Sequence, residues 1–136
     1  MTHATYTPTA EQVAAAPLFR TLTPAQCDVL AAQLEVEQFE AGRTLMREGA
    51  YGYSFSLLRS GTVDVQHEGR VIGTLGADDF FGEMAILGDG HRNATLVATA
   101  PGTLWCMFGT TFRKLELDHP EIAEIINAAA ARRSDV

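Results

Sequence analysis

The sequence predicts a mainly β fold: an antiparallel, jelly-roll-like β-roll with helices at both ends and one helical turn embedded in the roll. Three observations carry this. Short apolar or alternating segments recur from Val36 to Phe108, separated by turns at Gly42, Gly49, Gly61, Gly69 and Gly76. Short strands at such even spacing imply an antiparallel sandwich or barrel rather than a parallel sheet. The segments before Glu35 and after Thr110 change to spacings of three and four, which is helical.

Residues 1–16 form an N-terminal segment that is loose over its polar, threonine-rich start. Residues 17–136 form the single folded domain that a chain of this length supports. From Ala10 to Phe19 the pattern is helical, with Val13, Ala14, Leu18 and Phe19 as its inner set and Pro17 ending or kinking it. Thr23-Pro24-Ala25-Gln26 reads as a helix start, and Cys27, Leu30, Ala31 and Leu34 follow on one face.

Strands are then expected at Val36–Phe39, at Thr44–Met46, and at Tyr53–Leu58 with Tyr53, Phe55 and Leu57 on one face. Thr62–Gln66 alternates as a half-buried strand, and Glu68-Gly69 turns the chain into Val71–Leu75. Two more strands are expected at Ala94–Ala98 and Leu104–Phe108, the latter with Leu104, Cys106 and Phe108 inward and Trp105 outward against a terminal helix. Thr110 or Thr111 caps a helix carrying Phe112, Leu115 and Leu117; Pro120 opens a last one with Ile122, Ile125 and Ile126 on one side.

The net charge of -7 argues against gripping nucleic acid by its phosphates. Salt screens distant charge, so a small anion held by a local cation stays compatible. No apolar run approaches the roughly 18 residues of a membrane helix, and the start lacks the pattern of a signal peptide. Two distant cysteines, Cys27 and Cys106, read as buried residues of a reducing compartment, so a cytoplasmic protein is expected. No nucleophile with a base and an orienting partner stands out, and the four histidines are scattered, so neither enzyme nor metal site is expected.

The chemistry concentrates in Phe80–Thr95. Gly82 opens a mostly apolar helical turn, Glu83-Met84-Ala85-Ile86-Leu87, whose first N–H groups suit an anion. Gly88-Asp89-Gly90 then leads to Arg92, a fixed fork of donors suited to phosphate.

This stretch resembles the phosphate-binding cassette of the cyclic nucleotide-binding domain family, which reads F-G-E-[apolar]-A-[apolar]-[apolar], a short loop, then P-R-x-A-[S/T]. Here it stands as Phe81-Gly82-Glu83-Met84-Ala85-Ile86-Leu87, Gly88-Asp89-Gly90, then His91-Arg92-Asn93-Ala94-Thr95. Leu22-Thr23-Pro24, Arg47-Glu48-Gly49, Ser60-Gly61-Thr62-Val63 and His119-Pro120-Glu121 extend the likeness over about Pro17 to Ala130.

The resemblance implies a cyclic nucleotide as ligand, cAMP first and cGMP as the alternative, and no cofactor. Glu83 would accept the ribose 2′-hydroxyl, Arg92 would pair with the cyclic phosphate, and backbone N–H groups from Gly82 to Ala85 would complete the cage. Phe81, Met84, Asn93 and Ala94 are the remaining expected site residues. The implied function is a sensor that changes shape and signals to an effector protein, with the final helix available for pairing two copies. The alternative is a roll that has lost nucleotide binding and acts as a protein-interaction module. Two departures bear on this choice. His91 stands where the family has proline, leaving the loop less pre-set, and Tyr53 stands where it commonly has aspartate.

Overall fold

The structure, a computed structural model, describes residues 6–82, 88 and 90–134. Thr9 starts α1 (Ala10–Ala15) with a capping box: its hydroxyl accepts from the Gln12 amide, and the Gln12 side chain accepts from the Thr9 amide. Thr23 and Gln26 build the same box on α2 (Pro24–Gln33), with Pro24 where no amide partner is needed. A 3₁₀ turn at Pro17–Phe19 follows α1. The expected inner set changes at one place, where Ala14 is exposed and Ala16 buried. The buried positions on this short helix and its cap are Val13 and Ala16, three residues apart and so on one side.

Among the described residues eight strands follow: β1 (Glu35–Phe39), β2 (Thr44–Met46), β3 (Ser54–Ser60), β4 (Val63–His67), β5 (Arg70–Leu75), β6 (Phe80–Phe81), β7 (Thr95–Ala98) and β8 (Gly102–Phe108). They form two four-stranded sheets, ordered β1-β8-β3-β6 and β2-β7-β4-β5. Every pairing is antiparallel, as expected of the roll. The β4–β5 hairpin turns on Glu68 and Gly69, both at positive φ, the backbone that matches the twist of paired strands.

Strands β3 and β8 lie in the middle of their sheet and are buried on both faces. Inside the roll, Leu58, Leu104 and Cys106 pack with Phe39, Val63, Leu75, Phe81 and Leu96. On the other face, Phe55, Leu57, Trp105 and Met107 pack beneath Val13, Leu30, Phe112, Leu115, Ile122 and Ile126. The core is therefore double: one layer between the sheets, one between a sheet and the helices. Trp105 points outward from the roll, as expected, and is buried under the helices with the Arg59 guanidinium 4.6 Å from its ring centroid. Arg59 also pairs with Asp78.

Four further expectations fail, each for a local reason. Tyr53 lies before β3 and is 67% exposed rather than aligned with Phe55 and Leu57. Phe108 is half exposed because it ends β8 and serves as N-cap of α3 (Gly109–Asp118). Neither Thr110 nor Thr111 caps that helix. It continues directly from the strand, and the Gly109 N–H donates to the Tyr53 carbonyl at 2.6 Å. Leu117 is exposed, since Phe112 and Leu115 already define the inner side of α3. The last helix, α4 (Pro120–Ser134), buries Ile122 and Ile126 and partly buries Ile125. The embedded turn Glu83–Leu87 lies outside the described residues. Among those described, no helix is long and apolar enough to cross a membrane.

Both cysteines are free and buried. Burial, then the nearby Glu37 and Glu35 charges, push the Cys106 thiol from 9.0 up to about 11. The unfolded chain therefore releases this proton first, and stability is lost as pH rises from about 9 to about 11. Denaturant midpoints measured at pH 8 and pH 10.5 should show this fall, and Cys106→Ala should reduce it.

Candidate functional site

Gly82 leaves β6 at φ +82°, where a side chain would be strained; a Cβ there would also stand 2.8 Å from the Ser54 carbonyl and 2.9 Å from Arg92 Nη1. At Gly52 a Cβ would lie 2.3 Å from Arg92 Nη2. The two missing side chains open the slot that the guanidinium fills. Arg92 is 8% exposed, and burying a cation is costly unless its donors are used. Nη1 donates to the Gly82 carbonyl at 3.1 Å and Nη2 to the Ser54 carbonyl at 2.7 Å.

The backbone around the arginine is fixed as firmly. Its N–H donates to the Ala50 carbonyl at 2.8 Å, its carbonyl accepts from Gly49 at 2.9 Å, and Gly52 donates to Gly90 at 2.9 Å. The segments 49–52 and 90–92 thus run as a short antiparallel pair. Tyr51 and His91 form its bridge, their rings edge to face with centroids 5.4 Å apart. This pairing sets the path into Arg92 that a proline would otherwise pre-set. Tyr53 puts its ring beside Gly90 and its carbonyl on α3, so the substitution at that position is accommodated at the surface.

Phe81 is buried in the inner core opposite Ser56. Gly82 and Arg92, ten residues apart, are joined by a hydrogen bond. Ala94 is buried and Asn93 exposed, as the alternation of an extended segment dictates. Glu83, Met84 and Ala85 lie outside the described residues. Gly52 and Ser54 belong with the arginine as well, although the sequence marks neither as a site residue. Ser54 contributes its carbonyl and Gly52 the absence of a Cβ, and neither leaves a side-chain signature. Among the described residues, no group of three His, Cys, Asp or Glu could hold a metal ion.

An arginine buried at the rim of an eight-stranded roll invites comparison with known anion-binding rolls. The sequence profile described as "Cyclic nucleotide-binding domain" matches residues 36–119. The chain belongs to the cyclic nucleotide-binding domain family. A cAMP-dependent protein kinase regulatory subunit from Colletotrichum orbiculare is 37% identical over 101 residues, covering 73% of this chain and 26% of the relative. A cGMP-dependent protein kinase from Plasmodium berghei is 33% identical over 82 residues, covering 60% of this chain and 10% of the relative. The chain thus spans about a quarter or less of these curated relatives. Among solved structures, the catabolite activator protein of Thermus thermophilus superposes with a TM-score of 0.74 at 30% identity, over 88% of this chain and 58% of that one. Cyclic nucleotide-binding domains are regulatory modules, and the roll with its flanking helices is this family's fold.

Proposed function

We propose that the chain is a cytoplasmic sensor of a cyclic nucleotide, cAMP in the first place, with Arg92 pairing to the cyclic phosphate. The observation that carries this reading is the pre-set arginine. Its guanidinium is buried, oriented by the Gly82 and Ser54 carbonyls, and anchored through its own backbone to residues 49 and 50. Little ordering is left to be done when an anion arrives, which favours affinity. Glu83 would accept the ribose 2′-hydroxyl, as a carboxylate does at neutral pH. Phe81 supports the wall behind the phosphate, Gly82–Ala85 supply N–H groups, and Ala94 keeps the strand after the arginine packed. Asn93, exposed beside Arg92, would contact ligand.

Binding would act by population shift. Capture of the phosphate draws the residues after Gly82 toward Arg92, and α4 moves over the base. That movement would be read by an effector protein, with two copies pairing through α4. The relatives' names support cAMP and cGMP alike, and the regulatory-subunit likeness, at 37% identity against 33% for the cGMP-dependent kinase, favours cAMP.

Thermal unfolding with either nucleotide tests this. At a hundredfold excess over Kd a ligand adds about 2.7 kcal/mol to the folded state. A rise of several degrees with cAMP, larger than with cGMP at equal concentration, is expected. No rise with either would favour the protein-interaction reading.

A further inference from the structure

We infer that Glu48 is a positioning residue for the Arg92 site, one that locks the β4–β5 hairpin to the segment carrying the arginine. The inference rests on the reading of Arg92 as the phosphate ligand. Both oxygens of the Glu48 carboxylate are committed to the hairpin tip. Oε1 accepts from the Glu68 N–H at 3.0 Å, and Oε2 lies 2.9 Å from His67 Nδ1. Glu68 stands at φ +51°, a backbone that disfavours any residue with a Cβ. The acceptor supplied by Glu48 helps to hold it there.

The same residue grips the arginine's side of the molecule through its backbone. The Glu48 N–H donates to Thr95 Oγ1 at 2.9 Å, and the next residue, Gly49, donates to the Arg92 carbonyl at 2.9 Å. Ala50 then accepts from the Arg92 N–H at 2.8 Å. Within three residues the chain holds the hairpin by a side chain and the arginine by its main chain. β4 pairs with β7 up to Gln66 opposite Thr95, so tip and arginine lie at the same end of the roll.

The hairpin matters because its tip stands at the arginine's end of the roll. Val63 and Leu75 pair and are buried in the inner core, but the register shifts between Val65 and Gln66, so that Val71 stands opposite Gln66. Val71 and Ile72, 58% and 64% exposed, leave this end of β5 outside the core that holds Leu75. A hairpin released from Glu48 would swing, and the distance between its tip and Arg92 would no longer be set.

The test uses the whole chain with Glu48→Ala and Glu48→Gln, each also in an Arg92→Ala background. Calorimetry with cAMP is read beside amide hydrogen exchange of the ligand-free protein. Glu48→Ala is expected to weaken cAMP by about tenfold and to speed exchange at Glu68, Gly49 and Arg92. Glu48→Gln keeps an acceptor for the Glu68 N–H and should recover most of both. With Arg92 already removed, Glu48→Ala should cost nothing more in affinity. An unchanged affinity in Glu48→Ala, or an equal loss with and without Arg92, would overturn the positioning role. If the wild type binds no cyclic nucleotide, the proposed function fails instead. Exchange then decides the clasp: faster exchange at Arg92 in Glu48→Ala, restored by glutamine, sustains it, and unchanged exchange overturns it.

Discussion

Arg92→Ala is expected to weaken cAMP binding by at least about tenfold, since a charge-assisted hydrogen bond is worth roughly 1.5–3 kcal/mol. The structure adds a cost in the ligand-free state. The Gly82 and Ser54 carbonyls accept from the guanidinium, and removing it leaves the first short of a donor in a buried place and the second in a part-buried one. A buried group left unsatisfied costs about 1–3 kcal/mol, so a lower denaturation midpoint should accompany the lost affinity. Arg92→Lys should restore the charge but not the fork, and so recover only part of the binding. Calorimetry and urea unfolding on the same preparations separate the two effects.

Gly52→Ala should do comparable damage while leaving every charged group in place. Its Cβ would fall 2.3 Å from Nη2, 2.4 Å from Nε and 2.6 Å from Cζ of Arg92. The arginine, being the flexible partner, would give way and abandon the Ser54 carbonyl. A misplacement of about 1 Å in a positioned group can cost on the order of a hundredfold; a loss of at least tenfold in cAMP affinity is the expected outcome here, roughly 1.4 kcal/mol or more. Gly76→Ala is the control, because a Cβ there meets nothing within 4 Å and the backbone φ is ordinary. Its affinity should match the wild type in the same calorimetric titration. Equal behaviour of the two alanine variants would mean that the slot does not govern the arginine.

These two glycines show where the sequence was legible and where it was not. The strand pattern could be read because each turn carries its own chemistry: Gly42, Gly61 and Gly69 all sit at positive φ. Thr23 with Gln26 marked a helix start that the structure reproduces bond for bond. Gly82 and Arg92 were visible because motif and charge coincide. β6 was not visible as a strand, since two residues are too few to alternate. In β8 the pattern misled at Phe108, because a strand buried on both faces shows no clean alternation, and its end faces a helix start rather than the core. Gly52 and Ser54 were hidden for a different reason. Their contributions are a vacant space and a carbonyl, which acquire meaning only when residues 52, 54, 82 and 92 are brought together in space.

The most direct measurement follows the Nε–H resonance of Arg92, assigned by its absence in Arg92→Lys, during a titration with cAMP. It should move with ligand and saturate at the same concentration as the calorimetric heat, while arginines remote from the slot, such as Arg113, stay put. Saturable binding of cAMP that leaves the Arg92 resonance unmoved would contradict the assignment of the phosphate to this arginine.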